Sequence, residues 1–359
     1  MDEGNPRARV PGWLERLRRS RSAVASESDA TEESRSPRIA VVTDSGSSLP
    51  PEFVSAHADV LTVVHMPVMI DGQIYAQDPA NIDRELALAL ALGKPVKTSR
   101  PAPGQFSEVY TALAERGFHG VVSIHISGEL SGTADAARLA AQDGPIPVEV
   151  IDSRTAGLAQ GFLVMDTVEF LEREDDDAAQ VPSSSSEISG PANGADSASD
   201  VGEKLEPSSA EIADPVEQIF QKIRTLCTTA VPTIDFAVPS LDQLRAGGRI
   251  SVAASVLGSL LSVKPILHLV DGKLQVLERV RTTPKVFARL LELAIQEAER
   301  SEVPVRFGVQ SFGSEELARQ LARDLESHTK YPVIITSVTT VLAAHTGAGV
   351  LAICCAPER

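Results

Sequence analysis

Short β-branched runs alternate with stretches of helical periodicity through most of this chain. The spacing predicts strands at 38–42, 61–70, 120–127 and 148–151, with helices at 82–92, 103–116 and 134–142 between them. A second series follows: a helix at 215–227, a strand at 231–238, and helices at 241–246 and 250–261. A hairpin spans 264–280 around Asp271-Gly272, followed by a helix at 284–300, a strand at 306–311, a helix at 314–327 and a strand at 333–338. Strands alternating with helices predict an α/β fold whose first half is an open parallel sheet. The hairpin makes the second half a mixed sheet.

Polar signatures punctuate these elements, each placed where an apolar strand is expected to end. They read Thr43-Asp44-Ser45, Thr98-Ser99-Arg100-Pro101, Ser127 to Thr133 (SGELSGT), Asp152-Ser153, Gly247-Gly248-Arg249, Arg281-Thr282 and His345-Thr346-Gly347. In open α/β sheets ligands bind beyond the carboxyl ends of the strands. Hydroxyls, one His and three Arg gathered there suit a carboxylate or phosphate head group. Asp44 would repel such an anion, so it is expected to turn into backbone N–H groups and organise its loop.

Composition divides the chain further. Residues 172–213 carry a Ser-, Gly- and Pro-rich acidic segment, with eleven acids and two bases between Glu172 and Glu211. Such a segment buries too little to fold. Residues 1–37 form a polar arm with six arginines between Arg7 and Arg21, among which Trp13, Leu14 and Leu17 sit at near-helical spacing. That arm fits either a solvated tail or a helix that touches a membrane surface or a partner. The expected organisation is a disordered basic arm at 1–37, an N-terminal α/β domain at 38–171, a disordered acidic insertion at 172–213 and a C-terminal α/β domain at 214–359. A net charge of −16 argues against nucleic acid. Cys227, Cys354 and Cys355 lack metal-ligand spacing, and no stretch reads as a membrane span or a signal peptide. The expectation is a cytoplasmic protein with reduced thiols and no metal. Only 4% of residues are aromatic, so the core must be aliphatic.

In their order, SGELSGT, GGRIS, LLSVKPIL and the Val280-Arg281-Thr282 motif followed by Lys285 resemble the DegV family. Its characterised members include the fatty-acid-binding FakB subunits of bacterial fatty acid kinase. The resemblance covers roughly 38–171 and 214–356. It implies an N-terminal α/β/α layer, a C-terminal mixed sheet with helices, and a ligand pocket between them. It also implies a long-chain fatty acid as the ligand, a kinase catalytic subunit as partner, no cofactor and no catalysis by this chain alone.

Ser99 matches the hydroxyl that holds the carboxylate, and His345 the histidine beside it, which would add a charge-assisted bond if protonated. Thr98, Arg100, Ser127, Ser131, Gly132, Thr133 and Ser45 fall in the surrounding pocket motifs. Arg249 and Arg281 match arginines that engage the kinase partner or the acyl phosphate. Arg100 stands where the family commonly has Gln. Two other readings stay open. One is a small-molecule phosphotransferase, for which no G-x-x-x-x-G-K-[ST] loop is present; the other is a serine hydrolase pairing Ser99 or Ser45 with His345, for which no G-x-S-x-G elbow is present.

Overall fold

The computed structural model describes residues 36–75, 79–180, 214–250 and 263–359. The basic arm, most of the acidic segment and the helix expected at 250–261, apart from Ile250, lie outside them. Strands β1 (Ile39–Asp44), β2 (Leu61–Val64), β6 (Gly120–His125) and β7 (Val148–Asp152) form a parallel sheet in the order β2-β1-β6-β7. β1 and β6 are buried along their whole length, the condition under which parallel strands carry unbroken apolar runs. Between β1 and β2 lie a 3-10 turn at Ser45–Ser47 and the short helix α1 (Pro51–Ala56).

The apolar run at 61–70, expected to be one strand, is two. Pro67 cannot donate to a ladder, and the chain leaves the parallel sheet at His65. It re-enters pairing as β3 (Val68–Ile70), which is antiparallel to both β4 (Gln73–Tyr75) and β5 (Val96–Thr98) in a small third sheet. Helix α2 (Pro79–Ala91) links β4 to β5. Helices α3 (Pro103–Glu115) and α4 (Thr133–Ala141) cover one face of the parallel sheet, where Phe106, Tyr110 and Ala137 meet Val42 and Val121.

The second large sheet has six strands: β8 (Thr233–Ala237), β9 (Lys264–Val270), β10 (Lys273–Val280), β11 (Val305–Phe312), β12 (Ile334–Ser337) and β13 (Val350–Pro357). Their order is β10-β9-β8-β13-β11-β12, and every pair is antiparallel except β11 with β12. This is the mixed sheet that the hairpin pattern predicts. β13, absent from the sequence reading, sits inside it and is buried on both faces. Cys354 and Cys355 therefore face opposite cores, both as free thiols.

Helices α8 (Thr283–Arg300) and α9 (Glu315–Leu325) cover one face of this sheet, packing Leu290 and Leu321 on Phe307 and Ile353. Its other face meets helix α5 (Leu158–Gln180), whose first turns are buried all round, as a helix enclosed by two sheets must be. One continuous core joins Val41 and Val122 of the first sheet, Leu158, Phe162 and Met165 of α5, and Ile234, Phe236 and Ala352 of the second.

Asp166 of α5 clamps this arrangement, accepting Arg306 of β11 at 2.7 Å and lying 3.3 Å from the Arg359 guanidinium. α5 runs to Gln180, so the boundary expected at 172 falls inside a helix. Glu and Asp are compatible with helix. Glu172 lies 3.5 Å from the His57 ring, and Glu174 pairs with Lys222 at 2.8 Å. Lys222 belongs to α6 (Pro215–Thr228), which ends 14 residues before α7 (Asp242–Ala246) begins.

Candidate functional site

Five of the residues singled out in the sequence line one cavity: Thr98, Ser99, Ser131, Arg249 and His345. The cavity encloses about 790 Å³ of non-atom space, part of it open to solvent, between the parallel sheet's loops and the inner face of the six-stranded sheet. Its remaining wall is largely apolar, including Met66, Ile126, Leu130, Ile234, Phe236 and Leu244.

His345 is carried not by a strand end but by the last turn of helix α10 (Thr340–Thr346). Its Nε2 lies 2.8 Å from the hydroxyl of Thr98, the last residue of β5. Its Nδ1 edge presses on Gly247 so closely that a Cβ there would overlap the ring. Burial, reinforced by the charge of Arg249, pushes the imidazole down to about 4. The ring is therefore neutral near pH 7, so the charge-assisted bond that a protonated His345 would add is not the one it offers there. The cation of the site is Arg249. It is half-buried, donates from Nε to Leu130 O at 3.1 Å and from Nη1 to Gly247 O, and has no carboxylate partner among the described residues.

The other singled-out residues separate from this cluster. Arg100 is exposed just outside Ser99, and its guanidinium crosses Gly132, where a Cβ would lie 2.7 Å from Nη1. Ser131 shares a 2.8 Å hydrogen bond with Thr133, which is fully buried at the start of α4 and does not reach the cavity. Ser127 is also buried away from it. Its hydroxyl donates to Gly272 O at 2.8 Å in the β9–β10 turn. The Ser45 hydroxyl accepts from Met66 N at 3.0 Å and faces an adjoining groove that shares Met66, Val338 and Val341 with the cavity. Arg281 is exposed beside the start of α8, outside the cavity lining.

Asp44 organises its loop as expected. Its carboxylate accepts from Gly46 N at 2.8 Å, Ile126 N at 3.0 Å and His125 Nδ1 at 2.9 Å. The Ser123 and Tyr110 hydroxyls continue this buried chain, at 2.7 Å from His125 Nε2 and 2.9 Å from Ser123 Oγ. The network joins the loop after β1, which borders the adjoining groove, to the loop after β6, which supplies Ile126, Leu130 and Ser131 to the cavity lining.

The sequence matches the DegV family, described as a family of uncharacterised proteins, over residues 38–200 and 209–358. The chain belongs to the DegV family. A DegV domain-containing protein of Streptomyces coelicolor is 35% identical over 318 residues, which is 88% of this chain and 97% of that one. A DegV domain-containing protein of Deinococcus radiodurans is 32% identical over 71% of this chain and 75% of its own. Among solved structures, a DegV family protein of Thermus thermophilus, described as binding fatty acid, aligns with TM-score 0.68 and 28% identity over 89% of this chain and all of that one. DegV of Bacillus subtilis, described as a fatty acid binding protein, aligns with TM-score 0.69 and 26% identity over 90% of this chain and all of its own.

The floor of the cavity in this DegV chain escaped the sequence reading. Phe236 on β8 opposes Ala352 on β13, and Ala352 opposes Gln310 on β11, so one row across three strands faces the cavity. Ala352 is the small member between two large ones and leaves room above it. Alternation along β13 carried that signal, since Val350 and Ala352 face the cavity while Leu351 and Ile353 face the helices. Among the described residues no cluster of His, Cys, Asp and Glu could hold a metal ion, and no helix is long and apolar enough to cross a membrane.

Proposed function

We propose that this chain binds a long-chain fatty acid in the cavity and presents its carboxylate to a fatty acid kinase. The observation that carries the reading is charge placement. The apolar chamber carries four hydroxyls, those of Thr98, Ser99, Ser131 and Thr346, a neutral His345 and one half-buried cation, Arg249, with no carboxylate among the described residues to balance it. A ligand with one negative end and a long apolar body fits that distribution. Burying the chain contributes about 0.8 kcal/mol per methylene, which an aliphatic wall can collect before the costs of binding. The carboxylate then meets the Arg249 fork and the Ser99 hydroxyl.

Presentation follows from where that end lies. Ser99 is exposed at the rim, so a carboxylate held there can meet a second protein. Its oxygen would attack the terminal phosphorus of a nucleoside triphosphate on the kinase. The bond from that phosphorus to its bridging oxygen breaks, and the nucleoside diphosphate leaves with the kinase. Because the acid enters ionised, no proton has to be removed. A hydrolase reading gains nothing from the site. His345 has no orienting carboxylate among the described residues, and its Nε2 faces Thr98.

Native mass spectrometry of the protein purified from its host tests the binding step. The expected result is a co-purifying long-chain acid, and exchange for an added one after lipid is stripped. Neither co-purification nor uptake would end the reading. The kinase step is tested separately, by phosphorylation of the bound acid with the host's fatty acid kinase.

A further inference from the structure

Gln310 is a polar side chain in the apolar part of the cavity, set apart from the Thr98, Ser99, Arg249 and His345 cluster. It is 1% exposed, and its neighbours along the cavity floor are Ala352 and, beyond it, Phe236. Its carboxamide is oriented from one side. Oε1 accepts from Leu158 N at 2.7 Å and lies 3.7 Å from Cys354 Sγ. That approach depends on Gly157, whose φ of +62° and missing Cβ make room, since a Cβ there would lie 2.6 Å from Oε1. With the oxygen committed, the nitrogen Nε2 is buried and has no hydrogen-bond partner among the described residues.

A buried amide nitrogen without an acceptor costs about 1–3 kcal/mol, and a plain hydrocarbon chain beside it leaves that cost in place. Leu or Met would fill the same volume with no such cost. We propose that Gln310 Nε2 donates a hydrogen bond to an oxygen carried along the ligand's acyl chain, so that the cavity selects hydroxy or oxo long-chain acids over unsubstituted ones. The inference rests on the fatty-acid reading of the site and adds a second polar contact, remote from the carboxylate. Rejection follows the same logic as acceptance: a site built around a ligand hydroxyl discriminates against the analogue that lacks it.

The test uses octadecanoic acid and the series of its monohydroxy derivatives, titrated into the full-length, lipid-stripped protein. One hydroxyl position is expected to bind about tenfold more tightly than the parent acid. Gln310→Leu is expected to abolish that preference, bringing the ratio of the two affinities to about one. Gln310→Met repeats the measurement with a flexible side chain, should Leu disturb the sheet, and melting temperatures check that both fold. If no hydroxylated acid outbinds the parent, or if the preference survives in both variants, a buried water satisfies Nε2 and the proposal is overturned. If no acid of either kind binds, the fatty-acid reading itself falls.

Discussion

Two neighbours set the state of His345 before any ligand arrives. Burial and Arg249 hold its imidazole at about 4, against an ordinary value of 6.5. The unfolded chain therefore takes up a proton between those values while the folded one does not. This contribution to stability is complete above the unfolded value and is lost as pH falls through the window. From pH 7 to pH 5 the loss amounts to roughly 2 kcal/mol. Asp235, raised to about 6 by burial and the nearby Glu297, titrates with the opposite sign. The clean measurement is thus the difference in melting temperature between wild type and His345→Asn across pH 5–7. That difference is expected to shrink as pH falls, and a constant difference would mean that the ring is not held neutral.

At this scale the sequence was partly legible. Thr98, Ser99 and His345 sat in recognisable motifs and converge in space, although 247 positions separate Thr98 from His345. Arg249 and Arg281 carried the same expectation because local motifs do not report depth, yet one lines the cavity and the other is exposed. Gln310 had no signature at all, since a single polar residue inside a strand looks like any outward-facing position.

Among the elements, the inner face of the six-stranded sheet decides how much ligand the cavity can take. Ala352 is the low point of its floor. Ala352→Leu places a branched side chain into open space above β13 and is expected to shorten the longest acid retained, with a stability change of about 1–3 kcal/mol at most. Chain-length profiles of co-purified lipid compare the two proteins, and an unchanged profile would move the acyl tail off this floor.

The parallel sheet was readable because β1 and β6 are short, mostly apolar and β-branched runs between helical patterns. The small sheet was not, because β3, β4 and β5 have only three residues each and too little sequence to show a period. α10 and β13 were lost for a related reason. Seven helical residues make under two full turns, and the strand after them is apolar on both faces.

For the molecule as a whole, cavity and surface assign different tasks to the two arginines. Arg249→Ala is expected to lower lipid content, because the carboxylate loses the one counter-charge that the described residues place in the cavity lining. Arg281→Ala, on the surface, is expected to keep its lipid but to be phosphorylated more slowly with the kinase, by about tenfold if its fork meets an anionic group there. Equal lipid loss in both variants would contradict this division. The two-sheet architecture was foreseeable from the alternation of elements and the hairpin, but the central helix α5 was not, since no helix was expected between 151 and 215. The way the halves are fastened was not, because the fastening residues come from unrelated loops.

Part of that fastening converges on one turn. Asp271, Gly272 and Lys273 at the tip of the β9–β10 hairpin receive Arg154 at 2.9 Å, the Ser127 hydroxyl at 2.8 Å and Glu129 at 3.5 Å. Leu269 and Leu274, just behind the tip, line the cavity. The hairpin is thus a side wall of the cavity, latched at its end by the loops after β6 and β7. Weakening that latch is expected to change how fast a ligand exchanges more than how tightly it is held. Ser127→Ala, outside the cavity lining, is expected to speed both entry and escape of a fluorescent fatty acid in stopped-flow mixing, with a smaller change in their ratio. An escape rate equal to wild type would mean that the chain leaves by another door.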